Sequence, residues 1–330
     1  MNKLVLIVGG STLVYACLAM LMGVIPGYEL SKTPPGPGVE PLTALQAEGR
    51  DVYVAEGCSY CHTQQVRPLD QDKIFGRPSA AGDFAYQTPE LLGSERTGPD
   101  LTDIGARQPS EVWQYIHLYN PRAVVPQSIM PSFSWMFDVV DELPKGETAV
   151  PLPAAYAPAK GKVVPNRQAK ALVAYLMSLK QAPLPPGQGG AMAMAPAAAP
   201  AAAPGAAATP SAAAEPAGGF DAAKGAALYT ANCTACHQAN GEGLPGAFPP
   251  LKGNAAVNDD DPTLHIHTVL DGAHDVVIGG VTYGSPMPPF ASQLSDDDIA
   301  NIIDHERSSW GNHGKPVTAA QVAAERAKSN

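Results

Sequence analysis

The sequence predicts a mainly α-helical chain with one amino-terminal transmembrane helix and two small helical domains joined by a linker. Three observations predict this. Residues 4–25 carry no charged side chain, residues 183–216 are dominated by Ala, Pro, Gly and Met, and one Cys-x-x-Cys-His motif lies on each side of that stretch. The predicted units are an anchor (1–30), a first domain (31–181), an Ala/Pro linker (182–219), a second domain (220–312) and a flexible tail (313–330).

The charge-free amino-terminal segment favours a retained membrane anchor. Its 22 residues would span about 33 Å as a helix, close to the roughly 30 Å hydrocarbon core of a bilayer. Lys3 precedes the segment, as the positive-inside rule requires for an amino terminus held inside. Two alternatives remain, a cleaved signal peptide and a lipobox ending at Cys17. The segment is followed by a poor cleavage sequence, and Tyr15 occupies a position where a lipobox prefers a small residue.

The two Cys-x-x-Cys-His motifs predict two covalently attached haem c groups. Their cysteines would bind the haem vinyl groups and their histidines would be proximal iron ligands; the residues are Cys58, Cys61 and His62, then Cys233, Cys236 and His237. A redox dithiol or half of a zinc site is the alternative for a single motif. The histidine directly after each second cysteine argues against both. Covalent haem attachment of this kind belongs outside the bacterial cytoplasm, so we expect both domains on the periplasmic side of the inner membrane.

A Met-Pro step downstream of each motif predicts the sixth iron ligands, Met130 and Met287. The following proline holds the methionine in an extended loop. Met136 competes with Met130, although a methionine is more often core filler. We expect the backbone carbonyls of Pro99 and Pro250 to accept the Nδ1 hydrogen bonds of the two histidine ligands.

Each domain is expected to pack its first helix across its last. In the first domain the helices are predicted at residues 43–56 and 166–179, with Gly49 facing Tyr175, and Trp113 and His117 lie on a short helix between them. In the second domain the first helix is predicted at residues 222–231 and the last begins at a capping box of Ser295 and Asp298. Residues 63–97 and 138–165 make the first domain longer than a minimal domain of this type. Long insertions of this kind are either functional or flexible.

The formal net charge of −10 is unevenly distributed. Residues 220–310 contain 12 acidic and 3 basic side chains, a net −9, whereas residues 26–180 contain 17 and 14, a net −3. Nucleic acid is excluded as a partner because phosphate requires a basic surface. An acidic second domain fits a basic protein partner, and we expect a basic soluble cytochrome c as electron donor.

Residues 42–137 resemble the membrane-anchored mono-haem cytochrome c subunit of cbb3-type haem-copper oxidases. The matching segments are GRDVYVAEGCSYCHTQQVRPL, LLGSERTGPDL and NPRAVVPQSIMPSF, together with the single anchor. Residues 220–312 resemble a class I cytochrome c through CTACH, FPPLKGN and MPPF. The second haem domain departs from the oxidase pattern, and so does His305, where the last helix often carries an aromatic residue. The extra domain either replaces the family's separate di-haem subunit or adds a docking site to it.

The resemblance implies a subunit that passes electrons to a membrane-embedded haem-copper catalytic subunit, which reduces oxygen to water, with further cytochrome subunits as additional candidate partners. One alternative is a free-standing membrane-anchored carrier or a subunit of another respiratory complex, such as a nitric oxide reductase. Another is a di-haem peroxidase, in which a histidine or an open position replaces one methionine ligand. The spare histidines are predicted to be ordinary core or surface residues: His117, His265, His267 and His274.

Overall fold

The computed structural model describes residues 3–182, 220–291 and 293–329. Its amino-terminal helix consists of α1 (Lys3–Ala19), a π-helical turn (Met20–Val24) and α2 (Ile25–Leu30). The 28 residues are apolar, none of the side chains in the most apolar window is buried, and the helix is about 42 Å long. Its length and composition are those of a single membrane span. Residues 183–219 of the predicted linker lie outside the described residues.

The first domain is built around two long helices, α3 (Ala44–Ala55) and α6 (Arg167–Ser178). Thr43 begins α3 with a capping box to Gln46, and the Asn166 side chain accepts two backbone amides at the start of α6. Between these helices lie two shorter ones, five 3-10 turns and a hairpin: Cys58–Tyr60, Asp70–Phe75, Ala81–Phe84, α4 (Ile104–Arg107), α5 (Glu111–Tyr119), Pro121–Ala123, Ser134–Met136, β1 (Phe137–Val140) and β2 (Lys162–Pro165).

The crossing of α3 and α6 depends on Gly49, as the sequence predicts. A Cβ atom at this position would lie 2.8 Å from the Tyr175 Cβ and would overlap the Ala171 carbonyl. Beside the crossing, the rings of Tyr53 and Tyr175 meet edge to face with centroids 5.6 Å apart. The backbones therefore approach closely at Gly49, and the two tyrosines fill the space next to it.

The first insertion, residues 63–97, is tied to the domain by a buried carboxylate. Asp72 is fully buried and binds the Arg67 Nε at 2.9 Å and the Arg96 Nη1 at 2.6 Å. Hydrogen bonds from Arg67 and Arg96 hold the pKa of Asp72 well below its ordinary value. The Arg96 Nε also donates to the Thr63 hydroxyl at 2.7 Å. Because one arginine joins residues from both ends of the insertion, the structure favours a fixed segment over a flexible loop.

The second insertion is closed by the antiparallel pair β1 and β2. Its register places Phe137 opposite Pro165 and Val140 opposite Lys162. Val150, from the loop between the strands, donates its backbone amide to Val163 at 2.8 Å. Val150 and Val163 are both buried, so the loop is anchored to the core of the first domain.

The second domain repeats the crossing with α7 (Ala222–Asn232) and α11 (Asp296–Ser308). A Cβ atom at Gly225 would lie 2.5 Å from the Asn301 carbonyl oxygen. Tyr229 packs here against both His305 and Trp310, each with ring centroids 5.1 Å away, so Trp310 supplies an aromatic contact beside His305. The other elements are α8 (Thr234–His237), α9 (Ala255–Asn258), α10 (Thr263–Asp271) and the antiparallel strands β3 (Val276–Ile278) and β4 (Val281–Tyr283).

The carboxyl-terminal segment differs from the flexible tail that the sequence predicts for residues 313–330. It forms α12 (Ala319–Arg326), which begins at a capping box of Thr318 and Gln321. Val317 and Val322 are 4% and 0% exposed and join the core of the second domain. Two isolated valines in a polar segment are too few to predict an amphipathic helix from sequence. In the folded domain both valines are nevertheless buried in the core.

Candidate haem sites

The first attachment motif is presented by a single turn of backbone after α3. Gly57 adopts a φ of 71°, which reverses the chain, and the backbone amides of Cys61 and His62 then donate to the Cys58 carbonyl at 3.2 and 3.0 Å. This turn brings two thiols and an imidazole into one short segment. Burial raises the pKa of the Cys58 thiol to about 12.

His62 is oriented by the proline that the sequence indicates. Its Nδ1 lies 2.7 Å from the Pro99 carbonyl oxygen. Gly98 makes this approach possible, because a Cβ atom there would overlap the imidazole ring. Burial lowers the pKa of His62, so the ring is neutral, Nδ1 carries the donated proton and Nε2 is left with a lone pair.

The second motif has the same backbone arrangement at the end of α7. The amides of Cys236 and His237 donate to the Cys233 carbonyl at 3.1 and 2.9 Å. His237 Nδ1 lies 2.9 Å from the carbonyl oxygen of Pro249. Burial lowers the pKa of His237 as well.

The sequence names Pro250 as the partner of His237, and the structure corrects this to Pro249. The Pro250 carbonyl instead accepts the Asn254 side-chain amide at 3.0 Å. A signal for the right residue was present, since Pro99 and Pro249 each lie two positions before a leucine. In both domains that leucine's amide donates back to the chain near the attachment motif.

The candidate sixth ligands lie in loops. Met130 is partly buried against the core of the first domain, and its backbone amide donates to the Ser128 hydroxyl oxygen at 3.2 Å. Met136 is fully buried in that core, as expected of a residue that fills space. In the second domain Met287 is partly buried, and it exchanges backbone hydrogen bonds of 2.7 and 3.2 Å with Ala273.

Comparison with known proteins agrees with this geometry. The family model for FixO, the mono-haem subunit of cytochrome c oxidase, matches residues 1–152, and the cytochrome c model matches residues 222–310. Cytochrome c-552 of Thermus thermophilus is 39% identical over 115 residues, which cover 32% of this chain and 86% of that protein. The chain belongs to the cytochrome c family.

Two further relatives of this cytochrome are subunits of dehydrogenases. The cytochrome c subunit of the quinone-dependent alcohol dehydrogenase of Gluconobacter oxydans is 35% identical over 29% of this chain and 20% of its own length. The cytochrome c subunit of gluconate 2-dehydrogenase of Pantoea cypripedii is 36% identical over 33% of this chain and 25% of its own length. The cytochrome therefore spans a quarter or less of these two relatives.

Membership in the family implies two covalently bound haem c groups, and the donor set fits them. Four thiols lie in the two turns, and the Nδ1 atoms of His62 and His237 are engaged by carbonyls. Their Nε2 atoms can therefore bind iron. In addition, the Trp113 Nε1 is buried with no hydrogen-bond partner among the described residues. It could donate to a haem carboxylate.

The spare histidines fall into two groups. His267 and His274 face carboxylates near the surface, with His267 Nδ1 2.8 Å from Asp271 and His274 Nδ1 3.3 Å from Asp275. His117 is partly buried and stacks on Trp113 with centroids 4.6 Å apart, and desolvation together with nearby His62 lowers its pKa to about 4. His265, the fourth of these histidines, also contacts a carboxylate, but this pair lies in the interior of the second domain.

Sequence reasoning missed this buried pair near the second site. His265 on α10 and Glu306 on α11 are 4% and 5% exposed, and the His265 Nε2 lies 2.7 Å from the Glu306 Oε2. The Glu306 charge acts on His237 and opposes the lowering of its pKa by burial. No local pattern could identify the pair, because the two residues are 41 positions apart.

Proposed function

We propose that this cytochrome is the di-haem electron-transfer subunit of a cbb3-type haem-copper oxidase. The observation that carries the proposal is the match of residues 1–152, including the anchor helix, to the mono-haem oxidase subunit. In this role the chain delivers electrons to a separate membrane-embedded catalytic subunit that reduces oxygen to water. Both haem domains would lie on the periplasmic side of the inner membrane, where haem attachment takes place.

The proposed ligands suit electron transfer. A haem c held between an imidazole and a thioether is a one-electron carrier with a raised reduction potential. His62 with Met130, and His237 with Met287, would supply those ligands. The chain's own residues orient the two imidazoles, which suits a subunit that conducts electrons and leaves bond-making to its partner.

The first insertion is the proposed contact with the catalytic subunit. It presents apolar side chains to the surface: Leu69, Ile74 and Tyr86 are 45%, 65% and 46% exposed. The buried Asp72 network holds the segment in one conformation, so docking it costs little conformational entropy. Ile74→Asp should therefore weaken assembly with the catalytic subunit, whereas Val277→Asp, at an equally exposed site on the second domain, should not. Equal assembly of both variants would exclude this surface.

Purification of the tagged chain from detergent-solubilised membranes tests the complex. We expect a haem-copper subunit with haem b to copurify in fixed proportion, and oxygen consumption in the purified sample. A chain that purifies alone would be a free-standing carrier. A sample that reduces nitric oxide but not oxygen would assign the chain to a nitric oxide reductase.

A cytochrome subunit of a dehydrogenase is the second candidate, because two relatives of this chain are the cytochrome c subunits of an alcohol dehydrogenase and of gluconate 2-dehydrogenase. In that role electrons would arrive from an alcohol or sugar-acid dehydrogenase subunit. The same purification distinguishes the two, since a dehydrogenase complex would reduce both haems on addition of its substrate and would contain no copper.

A further inference from the structure

The second domain lies against the first, and it does so beside its haem-attachment motif. Leu244, Ala247 and Phe248 are 8%, 0% and 3% exposed. They belong to the same apolar cluster as Ile104 and Ile116 of the first domain. These three residues follow His237 by only 7 to 11 positions. The apolar contact between the domains therefore forms at the segment that carries the second attachment site.

A second contact comes from the loop that carries the proposed ligand Met287. Residues 284–286 line a shared cleft with residues 109–112 and Met177 of the first domain. Ser285 and Pro286 thus face the start of α5 and the carboxyl-terminal half of α6. The attachment segment and the methionine loop would supply the two proposed iron ligands of the second haem, and both face the first domain.

The attachment cysteine itself lies close to the first domain. Cys236 packs against the apolar cluster that contains Ile104 and Ile116, and its sulfur is within hydrogen-bonding reach of the Gln108 side chain. Gln108 immediately precedes the segment that lines the cleft. Cys236 and residues 284–286 therefore face one short stretch of the first domain, residues 108–112.

The other end of α5 reaches the first haem site. Trp113 and His117 stack one turn apart, and His117 lies near His62. Val112, at the cleft, is five residues from His117, which corresponds to about 7.5 Å along the helix. One helix thus has the second domain at its beginning and the first iron ligand near its end.

We propose that the second domain docks on the first through its haem-attachment face, so that α5 lies between the two haem sites and electrons pass within the chain across this contact. In each transfer one electron leaves the ferrous iron of one domain, which becomes ferric, and reduces the ferric iron of the other. No bond forms or breaks and no proton is required, and a one-electron donor protein supplies the electron. The inference adds an internal route to the proposed function and holds for any complex that the chain joins.

Dipolar electron paramagnetic resonance between the two ferric haems of the purified full chain tests the docking. We expect one narrow distance distribution in the wild type. Val112→Asp should broaden it, because the new carboxylate would be buried without a partner in the contact. Met177 lines the same cleft from α6, so Met177→Lys should broaden the distribution as well. Agreement between two variants on different helices would argue against a folding defect as the cause. Val139→Asp, at a 55% exposed site on β1, should leave the distribution narrow.

Flash photoreduction of the same samples tests the route. Equilibration of the electron between the haems should be first order and unaffected by glycerol in the wild type. In Val112→Asp it should slow by about tenfold or more and should become dependent on viscosity. A broad distance distribution or a viscosity-dependent rate in the wild type would overturn the proposal in favour of a freely moving domain. The distance distribution and the equilibration rate do not depend on the oxidase. The assignment to the oxidase is tested separately by copurification, so either proposal can fail without the other.

Discussion

At the scale of single residues, the two histidine ligands are defined by carbonyls as much as by the cysteines beside them. Each Nδ1 meets a proline carbonyl, at Pro99 and Pro249, and burial keeps each ring neutral. The proton on Nδ1 leaves the Nε2 lone pair for iron, and the carbonyl increases the basicity of the ring. The motif thus supplies the ligand, and a loop more than ten residues away sets its tautomer.

Replacement of the proposed sixth ligand should change the potential of one haem. Met130→His exchanges a thioether, which favours ferrous iron, for an imidazole, which favours it less. We expect the midpoint potential of the first haem to fall by roughly 0.2 V, a fraction of the range that axial ligands cover. Covalent attachment should be unaffected, because Cys58 and Cys61 remain. Spectroelectrochemical titration measures the shift.

Met136→Leu is the control for that measurement, since it keeps the volume of a fully buried side chain. Its haem potential should match the wild type. If Met136→Leu shifts the potential and Met130→His does not, Met136 is the ligand.

Sequence alone could name most of these residues because the chemistry is local. Two cysteines and a histidine within five positions can serve one macrocycle, whatever the surroundings. The choice between Pro249 and Pro250 was not local, since either proline can offer a carbonyl and only the fold directs Pro249 to His237 and Pro250 to Asn254. The pairing of His265 with Glu306 depends on the packing of α10 against α11, for which no pattern within either helix exists.

At the scale of secondary-structure elements, the helix crossings should be intolerant of a single methyl group. Gly49→Ala would place a Cβ against the Ala171 carbonyl and 2.8 Å from Tyr175, and backbone cannot move aside as a flexible side chain can. We expect a loss of about 3 kcal/mol, near the upper end for overpacked sites. Denaturant unfolding followed by the absorbance of the first haem measures it.

The control for the crossing is Gly284→Ala, where the nearest atom to an added Cβ is 3.9 Å away. It should leave unfolding of the first domain unchanged. Equal stability of Gly49→Ala and the wild type would contradict the close approach of α3 to α6 at Gly49.

The helix α12 should respond to pH through His267. The His267 ring contacts Asp271 at 2.8 Å and Glu325 at 3.1 Å, and the hydrogen bond to Asp271 followed by that to Glu325 raises its pKa above the ordinary 6.5. A raised histidine pKa adds stability that is complete below pH 6.5 and is lost as the pH rises through the folded-state pKa. Attachment of α12 to α10 should therefore weaken in mildly alkaline solution.

Hydrogen exchange of the α12 amides measures this effect. Protection relative to the rest of the second domain should fall between about pH 6 and pH 9, after correction for intrinsic exchange. His267→Gln should remove most of the pH dependence. A constant relative protection in the wild type would show that the ring carries no charge in this contact.

The long helices were predictable because their caps and apolar positions are close together in sequence. The side chains of Thr43, Asn166 and Ser295 each accept backbone amide hydrogen bonds at the start of a helix, where the sequence predicted the helix to begin. The short helix α12 was not, since its stability comes from Val317 and Val322 entering a core made by other segments. The sequence also could not predict that the first insertion is held in a fixed conformation, because the paired Asp72 and Arg96 are 24 positions apart.

At the scale of the whole molecule, the sequence shows two haem domains and a tether but not their contact. Which faces meet depends on the complementarity of surfaces assembled from distant segments. Here residues 104–116 lie on one side, and residues 236–248 with 284–286 lie on the other. Much of the acidic surface is also internally paired. Asp260 meets Lys315 at 2.7 Å, Asp297 meets Lys224 at 2.6 Å and Asp296 meets Arg326 at 2.7 Å. The attraction that remains for a basic donor is therefore smaller than the count of carboxylates indicates.

The proposed basic cytochrome c donor should nevertheless reduce the chain at a rate that falls steeply with salt. The second domain keeps its negative excess, and the Asp260 side chain remains 73% exposed in its pair with Lys315. Exposed charges are screened beyond about 10 Å at 0.1 M ionic strength, and opposite fields act mainly on the association rate. Asp260→Asn should slow stopped-flow reduction at low salt and flatten the salt dependence, whereas Lys315→Ala should accelerate it by removing the opposing charge. Val139→Asp adds a carboxylate to the first domain and should change the rate little if electrons arrive at the second. A rate that ignores salt, or equal effects of the Asp260 and Val139 variants, would place the arrival of electrons elsewhere in the chain.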